Sequence, residues 1–390
     1  MELGLKNCYL IVRGPSKLSA EGYFEINGAY MQECKCVVPV GKSAIMKIDE
    51  ATIQLSENVS YEVLDESPIP KEWENIAEIS DNHRKIMILG GVDTGKTTLA
   101  TYLANKLENV YILDADIGQK EIGIPASLSL AKKEDNIIFL HELKPLVSYF
   151  IGDVSPEGKV FECVFGTWKL AQKCKGKLII NTTGLIDREG IKLKKLKISA
   201  LEPDLIICIE RKNELEYIKK FSKKAEVIRI KVPSKAKEVP REQRKFLRCR
   251  SYANYFSGAK ILTINNVCER TISDFIFIGE KVEIGNGYAE LLGDLGIVVP
   301  NNFINRDDVS RKIGAAKIRI ISQEMLNNVL VAFLNEEDYA IDFGILKELN
   351  FKKDEAKILT PLKGKFDKIE LGKIKIDEKF NEKRLMGVSI

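Results

Sequence analysis

Histidine is nearly absent: His83 and His141 are the only two among 390 residues. That argues against a Ser-His-Asp hydrolase or a histidine-rich metal centre, and leaves proton transfer to carboxylates. His141 ends the apolar stretch "NIIFLH", residues 136–141, which reads as a strand closed by a structural histidine. Long apolar runs are missing too. The run "LIICI", residues 205–209, falls far short of the roughly eighteen residues a membrane helix needs and reads as a buried strand. The first residues, "MELGLKNCYLIVRG", lack the basic-then-apolar pattern of a signal peptide. A cytoplasmic chain whose eight cysteines are reduced thiols is therefore expected, with no membrane partner. Cys34 and Cys36 form a lone C-x-C without the second pair that a zinc site needs. Charge of one sign is not in large excess either. The formal net charge is +4, so any nucleic-acid contact must come from a local cluster.

What is present separates by pattern. A chain this long exceeds one ordinary core, so two or three domains are expected. Residues 1–82 carry short alternating strands, "CYLIV", "GYFEING", "KCVVPVG", "AIMKI" and "ATIQL", and read as a small β-rich domain. In residues 83–262 the strand "KIMILG", the helix "KTTLATYLANKL" and the strand "NVYILDAD" compose a βαβ unit. Further buried strands follow at "KLIINTTG", "PDLIICIER" and "AEVIRIKVP", then a basic helix in "EVPREQRKFLRCRSYANYFSGA" ending near Gly258. Residues 263–390 return to short strands, "FIFIGE", "AAKIRII", "NVLVAFL" and "IELGKIKID". The expected class is α/β: a central P-loop NTPase domain with a parallel sheet, flanked by two smaller β-rich domains.

The chemistry concentrates in the middle. Gly90, Gly91, Val92, Asp93, Thr94, Gly95, Lys96, Thr97 and Thr98 fit the phosphate loop G-x-x-x-x-G-K-[ST] between a strand and a helix. Its backbone N–H groups and helix N-terminus suit a triphosphate, with Lys96 reaching the β- and γ-phosphates and the Thr97 hydroxyl on Mg²⁺. "DADIGQ" ends the next strand. Asp116 there can hold the metal's water shell or take a proton from an incoming hydroxyl; Asp114 reads equally as a turn carboxylate, and Gln119 can orient an acceptor. Thr182 and Thr183 stand at the carboxyl edge of the sheet, the ligand side of an open α/β fold. Arg244 and Arg248, spaced i, i+4, share one helix face where P-loop kinases keep a mobile lid. Lys192, Lys194, Lys195 and Lys197 read either as a solvated face or as a track for a nucleic-acid backbone.

Together these segments resemble the P-loop polynucleotide 5′-hydroxyl kinases of RNA splicing, pre-mRNA cleavage and ribosomal RNA maturation, over residues 85–258. "GGVDTGKTT", "DADIGQ", "PLVSYFIGDVSP", "TTG" and the R-x-x-x-R of Arg244 and Arg248 followed by "YFSG" carry the likeness in order. The resemblance implies ATP and Mg²⁺, with transfer of the γ-phosphate to the 5′-hydroxyl of RNA, or of DNA. It further implies Lys96 and Thr97 on phosphate and metal, and Asp116 as base or metal-shell ligand with Gln119 beside it. Thr182, Thr183 and Gly184 would clasp the acceptor strand, and Arg244 and Arg248 would stabilise the transition state. RNA-processing proteins are the implied partners. Many members carry a tryptophan after the clasp glycine, where this chain has Leu185; Trp168 reads as core rather than as a substitute. The rival readings are an ATP-binding scaffold of an RNA-processing complex, and a nucleotide-driven switch or metallochaperone on a related P-loop.

Overall fold

The computed structural model describes residues 1–285, 287–302 and 304–385. The chain divides into two compact units. The first comprises Met1–Ile124, Leu128–Val147 and Ser155–Leu247; the second comprises Pro125–Ser127, Ser148–Val154 and Arg248–Ile390.

The first unit opens with β1 (Glu2–Arg13), β2 (Ser16–Ile26), β3 (Ala29–Val38), β4 (Ser43–Leu55) and β5 (Ser60–Leu64), in the order β3-β2-β4-β1-β5. "AIMKI" and "ATIQL", expected as two strands, are one: β4 pairs with β1 from Ser43↔Arg13 to Gln54↔Glu2, keeping one register on both sides of Asn7, which sits at φ 49°. Inward-facing residues alternate along the strands, with the phase of β4 slipping at Asp49–Glu50, giving a core of Leu10, Val12, Phe24, Ile26, Met46 and Ile53.

After α1 (Glu72–Asp81) come β6 (Lys85–Gly90), α2 (Lys96–Lys106), β7 (Val110–Ala115) and β8 (Ser127–Lys132). Then follow β9 (Val147–Phe150), α3 (Val160–Ala171), β10 (Lys177–Thr182), α4 (Arg188–Leu201), β11 (Leu205–Glu210), α5 (Ile218–Phe221), β12 (Glu226–Lys231) and α6 (Arg241–Tyr255). Strands β12-β11-β6-β10-β7 are parallel in that order, and β8 joins β7 antiparallel. Ile86, Ile88, Ile112, Ile179 and Ile207 face α1 and α2 in one core. Their neighbours Met87, Leu89, Leu113, Ile180 and Ile206 are equally buried, which is why these strands read as continuous apolar runs.

The stretch 136–141 is not a strand. It is irregular chain ending in a 3₁₀ turn at Leu140–Glu142. Side chains satisfy its backbone in place of a ladder: Glu142 accepts from Ile138 N at 3.2 Å and Phe139 N at 3.0 Å, and Asn105 accepts from Ile137 N at 3.1 Å. Its apolar residues are divided, Ile137 and Leu140 entering the core below the parallel sheet and Ile138 and Phe139 the core of the N-terminal sheet.

In the second unit the strands Val329–Leu334, Ala340–Asn350, Glu355–Thr360 and Lys368–Ile376 surround Phe275, Val331, Phe333 and Ile358. A smaller sheet is built from Glu280–Lys281, Gly287–Leu292, Leu295–Pro300 and Lys317–Ile320. "FIFIGE", expected as a strand, is mostly a turn. The Ser273 hydroxyl accepts from Phe275 N and Ile276 N, and Phe277 sits at φ 60°, so Phe275 and Ile276 are buried without a ladder.

Candidate active site

The loop between β6 and α2 is shaped by glycine. Gly95 precedes α2 at φ 93°, a left-handed conformation that side chains avoid. A Cβ on Gly90 would stand 2.4 Å from Thr94 Oγ1 and 2.8 Å from the Ile209 carbonyl, so the turn closes only on glycine. Thr94 donates to the Gly91 carbonyl at 3.1 Å. Lys96, 7% exposed, folds back and donates to that same carbonyl. Burial pushes the Lys96 ammonium down to about 8, against the pull of Asp116 and Asp93. Arg211, at the end of β11, donates to the Val92 carbonyl at 3.2 Å and pairs with Glu238.

The carboxylates after β7 differ sharply. Asp114 is fully buried and accepts from Glu121 N at 2.8 Å and Ile122 N at 3.0 Å, with Lys120 Nζ 3.3 Å away. It organises the turn. Asp116 is half-buried. Its Oδ1 accepts from Gly118 N and Gln119 N, both at 3.0 Å, and among the described residues its second oxygen takes no hydrogen bond. The Gln119 side chain likewise has no hydrogen bond among them.

Strand β10 brings the TTG segment against the phosphate loop. The Thr182 hydroxyl donates to the Ile88 carbonyl at 2.7 Å, and a Cβ on Gly184 would lie 2.8 Å from Val92 N. Gly184 thus permits close backbone approach. Asn181, which sequence reasoning passed over, faces Thr97 with Nδ2 3.5 Å from Oγ1, while its Oδ1 is buried without a partner among the described residues.

The lysine run on α4 is neither all solvated nor a surface track. Lys192 and Lys195 are exposed, but Lys194 and Lys197 are 1% exposed and turn inward. Lys194 donates to the carbonyls of Thr183, at 3.2 Å, and Leu185; Lys197 donates to that of Ala115 at 3.3 Å. Burial and the charges of Lys96 and Lys197 push Lys194 down to about 7, and burial lowers Lys197 as well. Their signal was the apolar face of Leu193, Ile198 and Leu201, on which both lysines fall.

On α6, Arg244 and Arg248 lie on the half-buried face while Arg241, Lys245 and Arg250 are exposed. The carboxylate of Asp93, in the phosphate loop, accepts from Val239 N at 2.9 Å and from Arg244 Nη1 at 3.5 Å. Arg248, with which the second unit resumes, pairs inside that unit with Glu382, Nη2 to Oε1 at 2.5 Å. Trp168 is not core. It is 41% exposed on the outer face of α3, in a row with Phe165 and Phe161.

These residues fit a triphosphate and a magnesium ion. Among the described residues Lys96 has only a backbone carbonyl as hydrogen-bond partner, and an orphaned acceptor on Asn181 stands beside the Thr97 hydroxyl, where a metal-bound water can donate. Among them no three His, Cys, Asp or Glu side chains form a metal cage, and Mg²⁺ ordinarily takes one or two protein oxygens plus phosphates and water.

A central parallel sheet, the glycine loop with its buried lysine, and a basic helix after the last strand define a P-loop kinase fold. Residues 90–258 match the family described as mRNA cleavage and polyadenylation factor CLP1 P-loop. The polyribonucleotide 5′-hydroxyl-kinase of Methanocaldococcus jannaschii is 37% identical over 342 residues, covering 82% of this chain and 95% of that one. That of Pyrococcus abyssi is 36% identical, covering 77% and 90%. A solved Clp1p–Pcf11p complex contains a chain that superposes with a TM-score of 0.66 at 15% identity, over 96% of this chain and 97% of that one. The chain belongs to the polyribonucleotide 5′-hydroxyl-kinase family.

Proposed function

We propose that this chain transfers the γ-phosphate of ATP to the 5′-hydroxyl of RNA. The observation that carries the reading is the phosphate loop with buried Lys96 beside a loop whose Asp116 has, among the described residues, one carboxylate oxygen without a hydrogen bond. Lys96 and the loop's N–H groups hold the β- and γ-phosphates. Thr97 would hold magnesium, with Asn181 and Asp116 on its waters; bound there, the ion supplies charge neutralisation. The acceptor's 5′-oxygen attacks the γ-phosphorus, the bond to the β-bridging oxygen breaks and ADP leaves. Asp116 takes the hydroxyl proton. Arg244 and Arg248 on the lid neutralise the charge spread over the phosphoryl oxygens. Thr183 and Gly184 lie against the acceptor strand, with Thr182 turned to the sheet and Gln119 lining the acceptor side. The proposed setting is cytoplasmic RNA processing, with RNA-processing proteins as partners; the likeness to RNA kinases supports the RNA-processing part.

Asp116→Asn tests the assignment. Transfer to a 5′-hydroxyl oligonucleotide should fall by about 10²–10⁴-fold while ATP binding persists. Undiminished transfer would remove Asp116 from the chemistry.

A further inference from the structure

Two lysines lie on the buried face of α4, among Leu193, Ile198 and Leu201, where an apolar residue would be ordinary. Lys194 and Lys197 are i, i+3, and among the described residues neither has a carboxylate within ion-pairing distance. Burying an ammonium without one is expensive. Both instead bind backbone carbonyls, and those carbonyls belong to the two acceptor-side loops. Lys197 holds Ala115, the residue before Asp116; Lys194 holds Thr183 and Leu185, on either side of Gly184. The loops begin on adjacent strands, where Thr182 and Ala115 are in register.

Peptide planarity gives this arrangement a consequence. In a trans peptide the C=O and the following N–H point in opposite directions. With the Thr183 and Leu185 carbonyls drawn to Lys194, the N–H groups of Gly184 and Ile186 point away from it. Neither N–H has a hydrogen-bond partner among the described residues; Gly184 is buried, where amides are nearly always paired, and Ile186 is half-buried. Gly184 also lies against Val92, which puts this segment beside the phosphate loop. Two unpaired amides two residues apart, on the proposed acceptor side, suit the anionic oxygens of a phosphodiester.

We propose that Lys194 is a positioning residue for the acceptor strand: by holding the carbonyls of Thr183 and Leu185 it aims the amides of Gly184 and Ile186 at the first internucleotide phosphate. The inference rests on the kinase reading above and deepens it. It also supplies a grip on the strand that does not depend on an aromatic at position 185.

The test is steady-state kinetics with ATP and a short 5′-hydroxyl RNA each varied, and a matched RNA whose first linkage is an uncharged methylphosphonate. For Lys194→Met the KM for RNA should rise about ten-fold, the loss of one charge-assisted contact, with the KM for ATP within about two-fold. The methylphosphonate should weaken the wild type by a similar factor and the variant far less, because the two changes remove the same contact. Ile186→Pro deletes one amide and leaves Lys194 in place; it should reproduce the RNA effect, and it decides the matter should Lys194→Met fail to fold. Equal losses for ATP and RNA, or a methylphosphonate penalty undiminished in the variants, would overturn the positioning role and leave the kinase reading standing. Failure of the wild type to phosphorylate RNA at all would overturn both.

Discussion

Lys194 should weaken the fold it serves, and the cost should depend on pH. An unfolded lysine titrates near 10.5, whereas in the folded protein burial, Lys96 and Lys197 hold Lys194 down to about 7. Between those values the unfolded chain carries a proton that the folded chain has given up, so stability rises with pH across that window. The penalty is complete below about 7 and vanishes above about 10.5. Worked through, it is roughly 4 kcal/mol at pH 7 and roughly 2 kcal/mol at pH 9. Lys194→Met has no titrating group there, so subtracting its stability from that of the wild type cancels, to first order, every ionisation not coupled to Lys194; coupling to Lys96 and Lys197 moves the difference in the same direction. The difference should shift in favour of the wild type by about 2 kcal/mol between pH 7 and pH 9. Urea unfolding followed by tryptophan fluorescence is the assay, because Trp73 and Trp168 both lie in the first unit, with Lys194. A difference that is flat across this range, or that moves the other way, would refute the account of Lys194 as a desolvated ammonium.

Other perturbations separate the roles of neighbouring groups. Asp114→Ala strands the buried Lys120 ammonium and should cost about 3–5 kcal/mol in the same urea assay; a loss below about 1 kcal/mol would mean that Asp114 does not organise its turn. Asn181→Leu removes the orphaned acceptor beside Thr97. It should raise the Mg²⁺ concentration for half-maximal rate several-fold and leave the KM for RNA unchanged, and an unaltered Mg²⁺ titration would remove Asn181 from the metal shell. Arg248→Ala should leave binding of a fluorescent ATP analogue intact while turnover falls by about 10³-fold; equal losses in binding and turnover would contradict a lid role.

What was legible in the sequence was local. The phosphate loop needs glycine at Gly90 and Gly95 because the backbone there tolerates no Cβ or turns left-handed, so its spacing survives as a pattern. The parallel strands announced themselves as apolar runs because both faces are covered. Facts that depend on packing were harder to see. A lysine-rich helix looks solvated until one asks which lysines fall on the same face as Leu193, Ile198 and Leu201. Trp168 looked like core by residue type, yet α3 turns Phe161, Phe165 and Trp168 outward and buries Cys163, Gly166 and Leu170. Residues 136–141 and "FIFIGE" are apolar enough for strands, but side-chain oxygens of Glu142, Asn105 and Ser273 took their N–H groups. Asn181 carried no signal, since an asparagine at a strand end is unremarkable until its partner, Thr97, is known.

The most direct measurement is transfer of labelled γ-phosphate from ATP to a short 5′-hydroxyl RNA, with the 5′-phosphorylated RNA and Lys96→Ala alongside and a DNA strand for comparison. The account predicts label on the free hydroxyl only and none with Lys96→Ala. ATP bound without transfer by the wild type would contradict it and favour a nucleotide-binding scaffold.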